Sequence, residues 1–304
     1  MIEIQKIRKN IDLSFLKKLE FDVFYYGSTI DERTNFVLDN ININPKYNVN
    51  FDKEHYNLTI NDEIIISLRD LIKSKIFHDY RNILIDSTSL DFPELLYLLY
   101  AISNSSDYSI ITILYIEPQS YRKTASGIDE EFTLSEDRSN FSSLPLFSIN
   151  SANKDKTTLL PFLGFENSRL GQILKSDDGN LYTHFLPYIA VPAYQAGWEN
   201  ISLNKHLDYF NIKNNDLKLY PSNNPYKIIK DLDKVSIHHK NLVIAPLGTK
   251  PSTIGAIIFL INNIKKNNIE KQIGAIYDYP IKSKDRSNGI GNIYTYTLSK
   301  SIFS

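Results

Sequence analysis

The stretch Asn241-Leu-Val-Ile-Ala-Pro-Leu-Gly-Thr-Lys-Pro-Ser-Thr-Ile-Gly-Ala-Ile-Ile-Phe, near the C-terminal end, constrains the fold more than any other part of this chain. Its apolar, β-branched run ahead of a Gly-containing loop predicts a buried strand, and the residues from Ser252 onward predict a helix. A strand that feeds into a helix is the repeating step of α/β proteins. The same junction is the best ligand site on offer. Backbone N–H groups in the first turn of a helix have no partner inside it, so Gly248, Thr249 and Lys250, with Ser252 and Thr253 behind them, are placed to hold an anion. The loop falls short of a Walker A motif, which has a second Gly and a Lys-Ser/Thr pair at fixed spacing. A lysine at a helix N-terminus opposes the macrodipole; either a bound phosphate or an ordinary solvent-reaching side chain accounts for Lys250.

Composition narrows the classes. The chain has 304 residues, 42% of them hydrophobic, enough for one large α/β domain or two smaller ones. Its formal charge of −1 supplies no global basic field, which argues against DNA or RNA as a partner. No apolar run approaches the ~20 residues that cross a bilayer, and Met1-Ile-Glu-Ile-Gln-Lys lacks the apolar core of a signal peptide. The expected compartment is therefore the cytoplasm, with no membrane partner. Zero cysteines exclude disulfides, thiolate metal ligands and Cys nucleophiles. The histidines at 55, 78, 184, 206, 238 and 239 show no His-Glu-x-x-His spacing, so no metal site is assigned, and His238-His239 fits a helix end or turn. No cofactor fingerprint is complete.

Along the chain, apolar runs followed by loop and amphipathic helix predict two Rossmann-like βα halves with mostly parallel sheets, possible products of internal duplication. The first half, 1–119, has a strand at Asp22 to Tyr26, a helix from Glu32 to Asn40, a short strand around Tyr47 to Phe51 and a helix from Asp62 to Phe77. A strand at Asn82 to Asp86, a helix entered through Pro93 and a strand from Ser109 to Ile116 complete it. The polar segment 120–158 reads as an excursion or linker. The second half, 159–304, opens on an apolar and amphipathic stretch, 159–175. It then predicts strands at 188–192, 217–220, 241–245 and 272–277, helices at 202–210, 226–235 and 252–265, and an edge strand at 293–298. Aligning Asn82 with Asn241, Phe24 with Ile189 and Leu114 with Ile276 gives offsets of 159, 165 and 162, and element order alone carries the duplication.

Ligands of open parallel sheets bind beyond the carboxyl ends of the strands, which nominates the loops there. Ser28, Thr29 and Arg33 offer hydroxyls and a guanidinium beside a helix start, where Ser or Thr is equally an ordinary cap. Asp86 and Ser87 close a buried strand; they suit a ribose hydroxyl or acid/base work, or else cap the next helix. Glu117 and Asp278 each follow an apolar strand and form a candidate carboxylate pair, or plain polar strand ends. Glu166 and Arg169 are spaced i, i+3, fitting one pocket-facing side of a helix or a surface ion pair. Tyr194, Gln195 and Trp198 lie in a strand-end loop where an aromatic suits a base, or interdomain packing.

Together, Gly27-Ser-Thr-Ile-Asp-Glu-Arg, Ile85-Asp-Ser-Thr-Ser, Tyr115-Ile-Glu-Pro, Leu163-Gly-Phe-Glu and Pro246-Leu-Gly-Thr-Lys-Pro resemble uncharacterised Rossmann-like α/β proteins associated with bacterial antiviral defence loci. The resemblance implies a component of a defence assembly and transfers no catalytic role. The expectation is a protein that binds a phosphate- or nucleotide-like small molecule, with a protein partner or a second copy of itself. The alternatives are a nucleotide glycosidase or hydrolase using Glu166 or Asp86 as acid/base, and a structural subunit with no ligand.

Overall fold

The computed structural model describes residues 1–304 except 11, 105–107, 123–131, 133, 138–139, 150–156, 176–181, 213–215, 269–270 and 302–304. Much of the predicted 120–158 excursion lies outside the described residues. The chain divides into two compact units, the first made of residues 1–133 and 282–304 and the second of 134–281.

In chain order the first elements are β1 (Ile2–Asn10), β2 (Val23–Tyr26), α1 (Glu32–Asn40), β3 (Lys46–Asp52), β4 (Asn57–Ile60), β5 (Ile64–Ser67), β6 (Asn82–Asp86), α2 (Phe92–Asn104) and β7 (Ile110–Tyr121). There follow β8 (Ser135–Asp137), β9 (Ser142–Ser143), β10 (Thr157–Leu163), α3 (Asn167–Lys175), β11 (His184–Phe185), β12 (Tyr188–Ala190), α4 (Trp198–Ile212), β13 (Lys218–Tyr220) and α5 (Pro225–His238). The last are β14 (Asn241–Pro246), α6 (Lys250–Asn263), β15 (Gln272–Tyr277), β16 (Ile281–Lys282) and β17 (Ser287–Lys300).

The first unit holds an eight-stranded sheet in the order β1-β17-β7-β6-β2-β3-β4-β5. Only the central neighbours, β7 with β6, β6 with β2 and β2 with β3, are parallel; the outer pairs are antiparallel, so this sheet is mixed rather than mostly parallel. The predicted α1 forms with the expected bounds because Asp31 caps it, accepting the Thr34 N–H while the Thr34 hydroxyl accepts the Asp31 N–H. Phe24, Val37, Leu84, Leu114, Ile116 and Ile293 share one core cluster against this helix.

Three expectations fail here. The helix expected from Asp62 to Phe77 is a β4–β5 hairpin followed by short 3-10 turns. Asn61 and Asp62 both take positive φ, a conformation that turns the chain, and Ile64-Ile65-Ile66 are β-branched residues that pack well on a pleated sheet. The run 293–298, read as an edge strand, is the middle of β17, which hydrogen-bonds to β1 on one side and β7 on the other. Consequently residues 282–304 belong to the first unit, not to a C-terminal half. β1 itself carries alternating charges and was not predicted.

The second unit contains a seven-stranded sheet in which β13-β12-β10-β14-β15 are successive parallel neighbours, with β9 antiparallel beside β15 and β11 parallel beside β10. Numbered in sequence, the five parallel strands run 3-2-1-4-5, the order of a Rossmann half extended by two strands. The first of them, β10, lies within the stretch read only as apolar and amphipathic. The 188–192 strand is thus the second parallel strand of its sheet, whereas β2 is the first of its own, so aligning Phe24 with Ile189 sets strands of different order against each other. His238 and His239 sit at the end of α5 as expected.

Candidate ligand site

In the first unit the direction in which successive parallel strands are added reverses between β2 and β6. There Gly27 ends β2 so close to the next loop that a Cβ on it would lie 2.7 Å from the Ser89 carbonyl oxygen. Asp86 is buried with its carboxylate spent on that loop: it accepts the Ser89 hydroxyl at 2.6 Å and the Thr88 N–H at 2.9 Å. Burial raises its pKa, with the Ser89 and Thr88 hydrogen bonds pulling the other way. Ser87 donates to the Leu114 carbonyl, and Ser89 accepts the Gly27 N–H. Arg33 is buried too, with its guanidinium on Asp31 and on the Ile116 carbonyl. Burial alone would raise Asp31, but Arg33, the Ser287 hydroxyl and Thr34 hold it below the usual carboxylate range. Of the residues nominated in this unit, only Ser28 and Thr29 are exposed, Ser28 donating to Asn50 at 3.3 Å.

The segment after Ile281 lies over the same edge. The Lys282 ammonium pairs with Asp91 and reaches the Ser89 carbonyl at 3.4 Å, the Asp285 N–H donates to the Ile30 carbonyl, and Ser287 donates to Asp31 at 2.6 Å. Glu117 is buried and accepts Asn292 at 2.6 Å; burial raises its pKa.

In the second unit the reversal falls between β10 and β14. The loop after β10 touches the loop after β14 at Gly164, where a Cβ would stand 2.5 Å from the Leu247 carbonyl oxygen. Ser202 of α4 donates to the Gly164 carbonyl at 2.8 Å, and Phe165 meets the Trp198 ring edge-on at 5.5 Å. Two loops and helix α4 thus meet at Gly164 and bring Glu166, Trp198 and Gly248 to one edge.

Around this point the charges are arranged unevenly. Arg169, in the first turn of α3, forms a buried bidentate pair with Asp278 just after β15, and the Tyr277 ring lies 5.9 Å from its guanidinium. Glu166 stands 3.9 Å from the same guanidinium and accepts the Ser135 hydroxyl at 2.6 Å. Asp278 and Glu117, paired in the sequence reading, are each engaged within their own unit, by Arg169 and Asn292. Tyr194 and Trp198 are half-buried, as is Lys250 at the start of α6.

The anion nest expected at Gly248-Thr249-Lys250 is largely closed by the protein. Thr249 caps α6, its oxygen accepting the Ser252 N–H, and donates to the Ser222 carbonyl at 3.0 Å. The Tyr220 phenol fills the remaining space: it donates to Ser252 at 3.4 Å, and a Cβ on Gly248 would lie 2.6 Å from its oxygen. Burial raises the Tyr220 phenol, opposed by hydrogen bonds from Ser252, Thr249 and the Thr249 amide. Pro251 in the first turn removes one further donor.

Sequence reasoning missed Ser135, Tyr220, Ser222 and Lys282. Nothing local marks them: each reaches the edge from a distant part of the chain. Among the described residues no group of three or more His, Asp or Glu side chains is arranged to hold a metal, and no helix is long and apolar enough to cross a membrane. No protein-family profile, curated protein or solved structure matches the chain.

Proposed function

We propose that this protein binds a nucleotide-like, phosphorylated small molecule at the carboxyl edge of its second unit, as a component of a bacterial antiviral defence assembly. The observation that carries the ligand reading is the convergence on Gly164, at the strand crossing where open α/β sheets take their ligands. Glu166 accepts ribose hydroxyls, Trp198 and Tyr194 offer ring faces to a base, and Lys250 meets phosphate. Arg169 orients Glu166 rather than touching ligand, being committed to Asp278. The Tyr220 plug supports a ligand whose recognition rests on its sugar and base more than on a phosphate buried at α6. The defence context rests on the resemblance of the quoted motifs.

The test is a thermal-shift panel of mononucleotides, dinucleotides and cyclic dinucleotides against inorganic phosphate, with Trp198 fluorescence as a second readout. A true ligand at a hundred times its Kd stabilises by about 2.7 kcal/mol. Glu166→Gln and Lys250→Ala abolish that gain while leaving the unliganded melt in place. A panel without shift or quench overturns the reading and favours a structural subunit.

A hydrolytic reading keeps Glu166 as acid/base, because it is the carboxylate that stands beside a guanidinium at this edge without being buried in a loop. Release of base from a nucleotide, lost in Glu166→Ala, is its signature, and an intact ligand after prolonged incubation rejects it. Asp86 has no part in it, since its oxygens are held by Ser89 and Thr88.

We also read the two units as copies of one βαβ core. Supporting this, Gly27 and Gly164 both close the first strand of a reversal and both press on a carbonyl of the facing loop. By this correspondence Asp91 stands where Lys250 stands.

A further inference from the structure

Three of the six histidines have a ring nitrogen committed to a local partner. His55 Nδ1 lies 2.7 Å from the Asp52 carboxylate, which raises its pKa, His78 Nε2 lies 2.8 Å from the Ile72 carbonyl, and the buried His206 has Nδ1 2.7 Å from the Ser202 carbonyl. His184 and His239 are used differently. Their rings stand against each other, with centres 5.5 Å apart and planes at 72°. They meet at the amino ends of the second unit's parallel strands, the end opposite the Gly164 edge. Thr158 of β10 and His184 of β11 are register partners on parallel strands, so their side chains share one face of the sheet. His239 is the residue at which α5 ends, and its Nδ1 comes within 2.9 Å of the Thr158 hydroxyl. In the tautomer that donates from Nδ1 to that oxygen, the lone pair sits on Nε2. Metal-binding imidazoles are oriented by such an oxygen partner on the other ring nitrogen.

We propose that His184 and His239 together bind a divalent transition-metal ion of the zinc type, with water completing its coordination. Ring centres 5.5 Å apart suit two imidazoles that share one ion, each with a nitrogen about 2.1 Å from it. Imidazole nitrogens select zinc, copper or nickel over magnesium and calcium, which take oxygen ligands. Burial, then His184, His238 and Lys218, lower the His239 pKa, so that ring is neutral at neutral pH and keeps a lone pair to give. Two protein ligands, with the Lys218 cation nearby, make a weak and exchangeable site rather than a structural one, which takes four. Bound there, the ion ties the end of α5 to the β10–β11 edge and bears on the stability of the second unit. This inference stands apart from the ligand reading, since it uses the other end of the strands.

Isothermal titration of the full chain with zinc chloride at neutral pH tests it, with magnesium chloride as the comparison. Zinc binds, magnesium does not, and the urea midpoint reported by Trp198 rises with zinc. His184→Ala, at an exposed position, and His239→Gln, which keeps a donor for Thr158, each retain the native circular dichroism and weaken zinc binding at least about tenfold. His238→Ala, one residue from the pair, leaves the affinity unchanged. Copper(II) in place of zinc shows two coordinated imidazole nitrogens by pulsed electron paramagnetic resonance. The absence of zinc binding, affinity that survives either variant of the pair, or a loss with His238→Ala as large as with His239→Gln overturns the proposal. Magnesium binding as tightly as zinc, or a copper spectrum with fewer than two imidazoles, overturns it equally.

Discussion

At the crossing of β2 and β6 residues from the far end of the chain cover the strand ends, whereas at the crossing of β10 and β14 a carboxylate and an indole, Glu166 and Trp198, stay partly buried close to Gly164. Both edges start from the same ingredients: a strand ending in Gly, a facing loop and helix N-termini. In the first, Lys282, Asp285 and Ser287 arrive from the far end of the chain and take up the loop carbonyls and carboxylates. In the second, Tyr220 closes one helix N-terminus, and Glu166 accepts the Ser135 hydroxyl beside the Arg169 guanidinium. Strand order nominates an edge; which side chains the protein itself brings there decides whether the edge can serve a ligand.

The strongest way to break this comparison is to remove the buried guanidiniums. Arg33→Met strands Asp31, and Arg169→Met strands Asp278, each costing about 3–5 kcal/mol because an unpaired charge stays buried. Trp198, the single tryptophan, lies in the second unit and reports on it, while circular dichroism follows both units. In urea titrations Arg169→Met moves the Trp198 transition, and Arg33→Met moves only the remaining dichroism change. Coincident shifts in both variants would mean that the units unfold together and cannot be contrasted this way.

Next come the two glycines. Gly27→Ala and Gly164→Ala each force a methyl onto a backbone carbonyl, and each costs about 1–3 kcal/mol by denaturant melt. Equal losses sharpen the equivalence of the two junctions, and a neutral Gly164→Ala would end it. Smaller again is Tyr220→Phe, which forfeits about 1 kcal/mol of hydrogen bonding. If the phenol is what closes α6, sulfate or phosphate then binds more tightly than to the parent, as isothermal titration would show. Unchanged anion affinity would assign the closure to Thr249 alone.

The smallest contrast is with pH. Burial lowers His206 and His239 in the second unit, so their contribution to stability is present above the ordinary histidine range and is lost as pH falls through it. In the first unit burial raises Asp86 and Glu117, so stability there is favoured on the acid side and declines as pH rises from the ordinary carboxylate range through the raised values. Asp31, held low, loses its contribution only in stronger acid. Between pH 7 and 5.5 the Trp198-reported midpoint therefore drops while the first unit keeps or gains stability, His55 being raised by its bond to Asp52. A matching drop in both would contradict these assignments.

Much of the parallel framework was legible because strands buried on both faces read as continuous apolar runs with turn residues behind them; Asn82–Asp86, Asn241–Pro246 and Gln272–Tyr277 are of this kind. The hairpin at Asn57–Ser67 was not. Its isoleucines also fit helical spacing, and what decides for strand is a pair of left-handed residues and a partner strand. β17 was legible as a strand but not as a central one, since the identity of its neighbours is a tertiary fact. At the candidate site, Glu166, Arg169 and Trp198 could be nominated from loop position. Their partners Asp278 and Ser135 are contributed by other elements, and the closing role of Tyr220 depends on β13, which two strands separate from β14, the strand that precedes α6.

The placement of β17 also orders events in time. Among the described residues β1 pairs with a strand that begins 285 residues later, counting from Ile2 to Ser287, while every strand of the second unit's parallel core has been synthesised by Tyr277. The second unit can therefore complete its sheet before the first unit has received the strand that joins β1 to β7. During synthesis β7 waits with an open side and β1 waits without a sheet, so the part of the molecule made first is the part finished last.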